Sequence, residues 1–380
     1  VRVASSLAIC LLVAFSALAD DPADSINLAP PQYRQQLGKQ LTLAGKNQPE
    51  LLASLRAAKP EYRESLTVLL ANMPEQDLAS LSKDFLLANV EYACKARSEM
   101  PWGKAVSDEM FFNYVLPYAN VNERRDDWRK DFYQRFAGNA RQCHTTGEAA
   151  NMLNKEVFSQ LKVKYHPTKR PKPDQSPYES TKAGYASCTG LSILLVDACR
   201  AVCIPARIVG IAEWTNKSGN HTWVEIWDRQ WCPLGAAEPG VLNDAWLSRM
   251  ATSVNPEHRA NSIFAVSFLP AETWFPMAWA PENRTVPADD VTRFYTDRRH
   301  VTFHVVDYPR GRSVPSRLIV RWGGRLVAED VVTGPTRFVL AAGQTYEVQM
   351  QRSESSKIFK QQVCPTTDDS QVIELPIGRL

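Results

Sequence analysis

Three segments carry side chains whose types and order suit nucleophilic acyl transfer: YASCTGLSILLVDACRAVCIPARIVG (185–210) with Cys188, GNHTWVEIWD (219–228) with His221, and QWCPLGAAEP (230–239) with Glu238. A cysteine attacks a carbonyl as its thiolate. The start of a helix favours that anion, because the first backbone N–H groups are unsatisfied and the aligned peptide dipoles add about half a positive charge there. Cys188 opens the apolar run and takes that place. Cys199 and Cys203 lie deeper in the run, among Leu194, Leu195, Ala198 and Val202, and read as packing.

A thiolate nucleophile needs a base, and the base needs a group to orient it. His221 follows Gly219 and Asn220 at the mouth of an alternating stretch, which leaves one edge of its ring open to a cleft. If 221–228 folds back on 231–238 across a two-residue turn at Arg229-Gln230, His221 faces Glu238; a slip of one residue puts Ala237 there. A carboxylate beside His221 would hold its tautomer and favour an imidazolium paired with the thiolate. Asp228 and Asp244 are the other candidate acids. Tyr185, Trp214, Asn220 and Trp223 are expected to line the substrate cleft. The Cys188 amide would supply one oxyanion donor, with Tyr185 and Gln175 candidates for a second. A zinc site built from Cys188, Cys199, Cys203, Cys232 and His221 fits poorly, since no C-x-x-C pair is present and two of those thiols face hydrocarbon. No metal or cofactor is expected.

The elements that must hold these residues follow from periodicity. From Gln32 to Gln160 the pattern is helical, broken at Pro49, Pro60, Pro74 and Pro101; Leu78, Leu81, Phe85, Ala88 and Tyr92 form one stripe. The charged run LPYANVNERRDDWR (116–129) predicts a solvated helix face, although Tyr118, Asn120, Asn122 and Trp128 would also suit one wall of a cleft. HPTKRPKPDQSP (166–177) reads as an extended loop. Then comes the apolar helix, a strand at 206–211, and the two returning strands. Beyond Arg298 all is strand and turn, with Gly323-Gly324 as a hairpin corner. The fold class expected is α+β: a helical N-terminal region (20–149), a helix-on-antiparallel-sheet core (150–297) and an Ig-like antiparallel β-sandwich (298–380).

Residues 1–19 read as a signal peptide, with Arg2 ahead of an apolar run from Leu7 to Leu18 that is shorter than the roughly 20 residues of a membrane span. Export to the periplasm or the extracellular space is therefore expected. Without Cys10, seven cysteines remain, so at least one thiol is unpaired or joined to another chain. A net charge of +3 is too small and too scattered for nucleic acid or an anionic surface.

The order of cysteine, histidine on a strand and acid on the next strand, with the string ending CIPARIVG, resembles the transglutaminase-like superfamily over residues 150–270. The resemblance implies a papain-like core, a Cys-His-acid triad of Cys188, His221 and Glu238, thioester chemistry on amide bonds, and no cofactor. The family's frequent W-x-x-x-D-P is absent: Trp231 is followed by Cys232, Pro233, Leu234 and Gly235. Glu238 would then be a displaced substitute. The function expected is a cysteine hydrolase acting on protein or cell-wall peptide amides, and the alternative is a silent binding scaffold of the same shape.

Overall fold

Proline and serine punctuation divides the first half of the chain into short helices. The computed structural model describes residues 22–240, 242, 249–250, 253–308 and 310–378; the proposed leader and Asp244 lie outside them. Pro49 sits in the first turn of Gln48–Ala57, Pro60 opens a 3-10 turn, and Pro74 precedes Glu75–Leu78. The stripe from Leu78 to Tyr92 belongs to two helices. Ser82 caps the second, Lys83–Glu99, its hydroxyl accepting from the Phe85 amide at 3.3 Å, so the chain restarts there. Arg129–Ala140 and Thr146–Leu161 follow.

The charged run 116–129 is not a solvated helix. It is irregular, and Tyr118, Asn120, Glu123, Asp126 and Arg129 are buried in it. Its charges satisfy the backbone. Glu123 accepts from the amides of Asn120 and Val121 at 2.6 and 2.7 Å, and the Arg129 guanidinium donates to the carbonyls of Val115, Leu116 and Pro117.

The Cys188–Ala201 helix, hereafter the cysteine helix, is buried all round after its first residue, as its apolar composition requires. Its polar residues Asp197 and Arg200 find buried partners: Asn120 donates to Asp197, and Arg200 donates to the carbonyls of Tyr114, Ala206 and Ala119. The strands, in chain order, are β1 (Lys164–Tyr165), β2 (Tyr185–Ala186), β3 (Ala206–Ile211), β4 (His221–Trp227), β5 (Trp231–Leu234), β6 (Ile263–Val266), β7 (Thr273–Trp274), β8 (Pro287–Asp290) and β9 (Arg298–Asp307). They continue with β10 (Ser316–Trp322), β11 (Arg325–Val332), β12 (Thr336–Ala341), β13 (Tyr346–Gln351), β14 (Phe359–Val363) and β15 (Gln371–Ile377). An antiparallel sheet in the order β5-β4-β3-β6-β8-β7 packs one face on the cysteine helix. The protein is α+β.

The C-terminal strands form two sheets, β11-β10-β13-β14 and β12-β9-β15, whose inward residues share one core that includes Phe303, Leu318, Val348 and Leu375. Gly323 and Gly324, at φ +56° and +82°, make the tight turn between β10 and β11. All pairs here are antiparallel except β15 with β9, which is parallel.

Candidate active site

Cys188 stands where two caps meet. Gly184, at φ +71°, ends the preceding Pro177–Ala183 helix, and β2 then pairs parallel with β1. Ser187 caps the cysteine helix: its hydroxyl accepts from the Gly190 amide at 3.1 Å and donates to the Pro173 carbonyl at 2.6 Å. The proline-rich loop thus anchors the helix start. Gly190 lets the helix start approach closely: a Cβ there would lie 3.0 Å from the Ala186 methyl. Ser187, Thr189 and Gly190 are buried and Cys188 is only half-buried, so it is the most accessible residue of its turn. Cys199 and Cys203 are sealed in the core, where burial pushes both thiols up, Cys203 to about 12.

His221 is the first residue of β4, opposite Ile211 of β3. One residue along, the Thr222 and Thr189 hydroxyls share a hydrogen bond of 3.0 Å, and the Ser192 hydroxyl donates to the Thr222 carbonyl at 3.3 Å. These bonds join the first two turns of the cysteine helix to Thr222, the residue after His221. Strand alternation divides β4 into two rows. Val224 and Ile226 pack with the cysteine helix, whereas Trp223 packs on the other face with Val209, Ile211 and Trp214. His221 shares the row of Trp223, so any approach of its ring to the Cys188 sulfur is made around the open end of the strand, not across the sheet.

The imidazole stacks on Trp223 (centroids 5.9 Å apart, planes at 24°) and lies against Trp214 at 6.4 Å. Burial pushes its pKa down to about 4. The ring is therefore neutral near pH 7, and not the preformed imidazolium that the sequence suggested. Trp223 is 0 % exposed and Trp214 is buried. Both were expected to line the substrate cleft, and both pack in the apolar cluster beside the histidine. Tyr185 is 36 % exposed beside Cys188 and Asn220 is exposed beside His221, so both remain on the accessible rim. Gln175 is wholly buried and donates to the Tyr185 carbonyl at 3.1 Å.

The acid is where the expected register fails. Trp227 lies opposite Trp231 and Val224 opposite Leu234, one residue away from the pairing that sets His221 against Glu238. The cause is the connection, which has three residues, 228–230, with Arg229 at φ +63°. The ladder ends at Leu234, and the chain turns, the Glu238 amide donating to the Gly235 carbonyl at 3.1 Å. Asn154 of the Thr146–Leu161 helix clamps this turn, donating to the Gly235 carbonyl and accepting from the Ala237 amide, both at 2.8 Å. The exposed Glu238 folds back over Gly235, where an added Cβ would meet its Oε2 at 2.6 Å. Alternation puts position 235 in the row of Trp231 and Pro233, the row of Glu225 and His221. The Glu238 carboxylate thus occupies the space in which a side chain at 235 would begin. Asp228 is at the far end of β4, roughly 23 Å along the strand from His221, and bonds to Thr146 there; it is out of reach.

Sequence reasoning missed Asn154 and the Thr189–Thr222 bridge. Asn154 had a signal, a polar residue on the apolar stripe of Leu153, Val157 and Leu161. It also missed Tyr295, which donates to Glu225 on the far face of the sheet and for which the sequence holds no cue.

A half-buried cysteine thus stands at a helix start that is tied to the first residues of a histidine-bearing strand on an antiparallel sheet. Residues 134–236 match the profile of the transglutaminase-like superfamily. The match includes Cys188 and His221 and stops two residues short of Glu238. Among solved structures, a candidate cysteine protease of Cytophaga hutchinsonii is 20 % identical over 30 % of this chain and 38 % of its own, with a TM-score of 0.25. Red sea bream transglutaminase is 9 % identical over 74 % of this chain and 59 % of its own, at 0.26. The chain therefore spans less than two thirds of either. No curated protein matches it.

Proposed function

We propose that the protein is an exported cysteine hydrolase acting on amide bonds of proteins or cell-wall peptides. In this reading the Cys188 sulfur bonds to the carbonyl carbon while its proton passes to the neutral His221 ring. The tetrahedral oxyanion takes the helix-start amide of Cys188, a donor worth about 3 kcal/mol in comparable sites. His221 then returns the proton to the departing amine as the C–N bond breaks. Water attacks the thioester, His221 again taking the proton and delivering it to the sulfur. Glu238 orients the imidazole. Water is the default acceptor at a site with an open rim, which favours hydrolysis over crosslinking. Export rests on the apolar leader.

The observation that carries this reading is the placement of a half-buried cysteine as the first residue of a buried helix whose next residue is bonded to the residue after His221. Gly235 in the family's acid position favours a second reading, a silent scaffold. Iodoacetamide separates them. The hydrolase reading predicts one rapid alkylation, at Cys188, near neutral pH and slowed at least about tenfold by His221→Ala. Reaction no faster than a model thiol in both proteins would leave the scaffold.

A further inference from the structure

On the face of the core sheet turned from the cysteine helix, a buried polar chain starts behind His221. The Trp223 indole N–H donates to the Tyr295 hydroxyl oxygen at 2.9 Å. The Tyr295 O–H donates to Glu225 Oε1 at 2.6 Å. Glu225 Oε2 accepts from Arg207 Nε at 2.8 Å and pairs with its terminal nitrogen at 2.7 Å, and that guanidinium lies 3.8 Å from the Trp231 ring centre. Every member but Trp231 is buried. A buried ionic chain of this kind adds little stability over an apolar filling, but it fixes orientation, because each member has one geometry that satisfies its partner.

What it orients is the indole of Trp223. That ring lies nearly parallel to Trp214 (7°, 6.3 Å) and carries the imidazole on its face. Stacking sets the distance between rings but leaves them free to slide. The hydrogen bond at the indole edge removes that freedom. Tyr295 comes from Arg293–Thr296, the four-residue helix between β8, the last core strand in sequence, and β9, the first C-terminal one.

We propose that Tyr295 is a positioning residue for His221, acting through the Trp223 indole, so that the seam between the core and the C-terminal strands holds the imidazole in place. The catalytic consequence rests on the Cys188–His221 reading above; the positioning itself does not. Removing the Tyr295 hydroxyl leaves the Trp223 N–H buried without an acceptor, and the indole then turns to find one and takes the imidazole with it.

The test uses the full chain with labelled histidine rings, and p-nitrophenyl acetate as the acyl probe. The sulfur of Cys188 bonds to the acetyl carbon, its proton passes to His221, and p-nitrophenolate leaves. In the unaltered protein the His221 ring signals should be displaced upfield by the neighbouring indoles. Tyr295→Phe is expected to move them toward those of an unstacked histidine and to slow acetylation of Cys188 about tenfold or more, since small misplacements at a reacting centre cost that much. Trp223→Phe removes the same bond from its other end and keeps a ring; it should slow acetylation alike, and the double variant should be no slower than the worse single one. A folded Tyr295→Phe with unmoved His221 signals overturns the proposal, as do effects that add in the double variant. If Cys188 in the unaltered protein is never acetylated, the hydrolase reading falls, and the ring signals alone decide the positioning.

Discussion

Gly235→Ala tests whether Glu238 completes the site without touching Glu238 itself. The new Cβ would lie 2.6 Å from Oε2 and 3.2 Å from Cδ and Cβ of Glu238. Glu238 is exposed and can swing away, whereas Asn154 holds the backbone through two bonds of 2.8 Å. Gly235 is not at positive φ, so alanine fits its backbone and lowers the entropy of the unfolded chain, a gain of about 0.4–1 kcal/mol that offsets the crowding. Stability should therefore change by less than about 1 kcal/mol in a urea melt. Activity should not be spared. Shifting an orienting carboxylate by an ångström or more costs about 10²-fold, and Glu238→Gln should cost on the order of 10³- to 10⁴-fold, the scale seen for the acid of a triad. The assay is the burst of p-nitrophenolate in a single turnover. Gly235→Asp combined with Glu238→Ala should regain much of the loss, because it returns an acid to the position the family uses. Full activity in both Gly235→Ala and Glu238→Gln would refute the assignment of Glu238.

Burial holds the folded His221 near 4, whereas an exposed histidine titrates near 6.5, so the unfolded chain takes up the proton first. The resulting destabilisation is nil above about pH 6.5, grows as pH falls, and reaches about 3 kcal/mol below about pH 4; urea midpoints across that range should lose this slope in His221→Gln. Ser187→Ala removes the cap and the tie to Pro173, and should cost about 1 kcal/mol, a few degrees in Tm by calorimetry, while slowing the acyl burst. Arg200→Met strips buried carbonyls of their donor and removes one of the two guanidinium charges, with that of Arg129, that act on Asp197; a loss of about 3–5 kcal/mol in chemical denaturation is expected.

What was legible in the sequence was local. The start of the cysteine helix could be read because Cys188 opens a continuous apolar run, and the β10–β11 corner because two glycines supply the positive φ it needs. The β4–β5 register was not legible, since nothing in the sequence signals that Arg229 adopts φ +63° and lengthens the turn by a residue. The run 116–129 misled for a related reason. Charges face water unless buried partners await them, and those partners, Asp77 for Arg125 and Asn89 for Arg129, come from helices far back in the chain. The support behind His221 was hidden too, because Tyr295 is some seventy residues from Trp223 and Glu225.

In the proposed chemistry one thiol, Cys188, is made nucleophilic by its helix start and by His221. The most direct test is to expose the protein briefly to p-nitrophenyl acetate at neutral pH, quench in acid and map the acetyl group by mass spectrometry. The account predicts a single acetyl on Cys188 that forms rapidly, disappears with time, and is absent in Cys188→Ala and strongly slowed in His221→Ala. Acetyl groups scattered over surface lysines, or a Cys188 adduct that forms equally fast without His221, would contradict it.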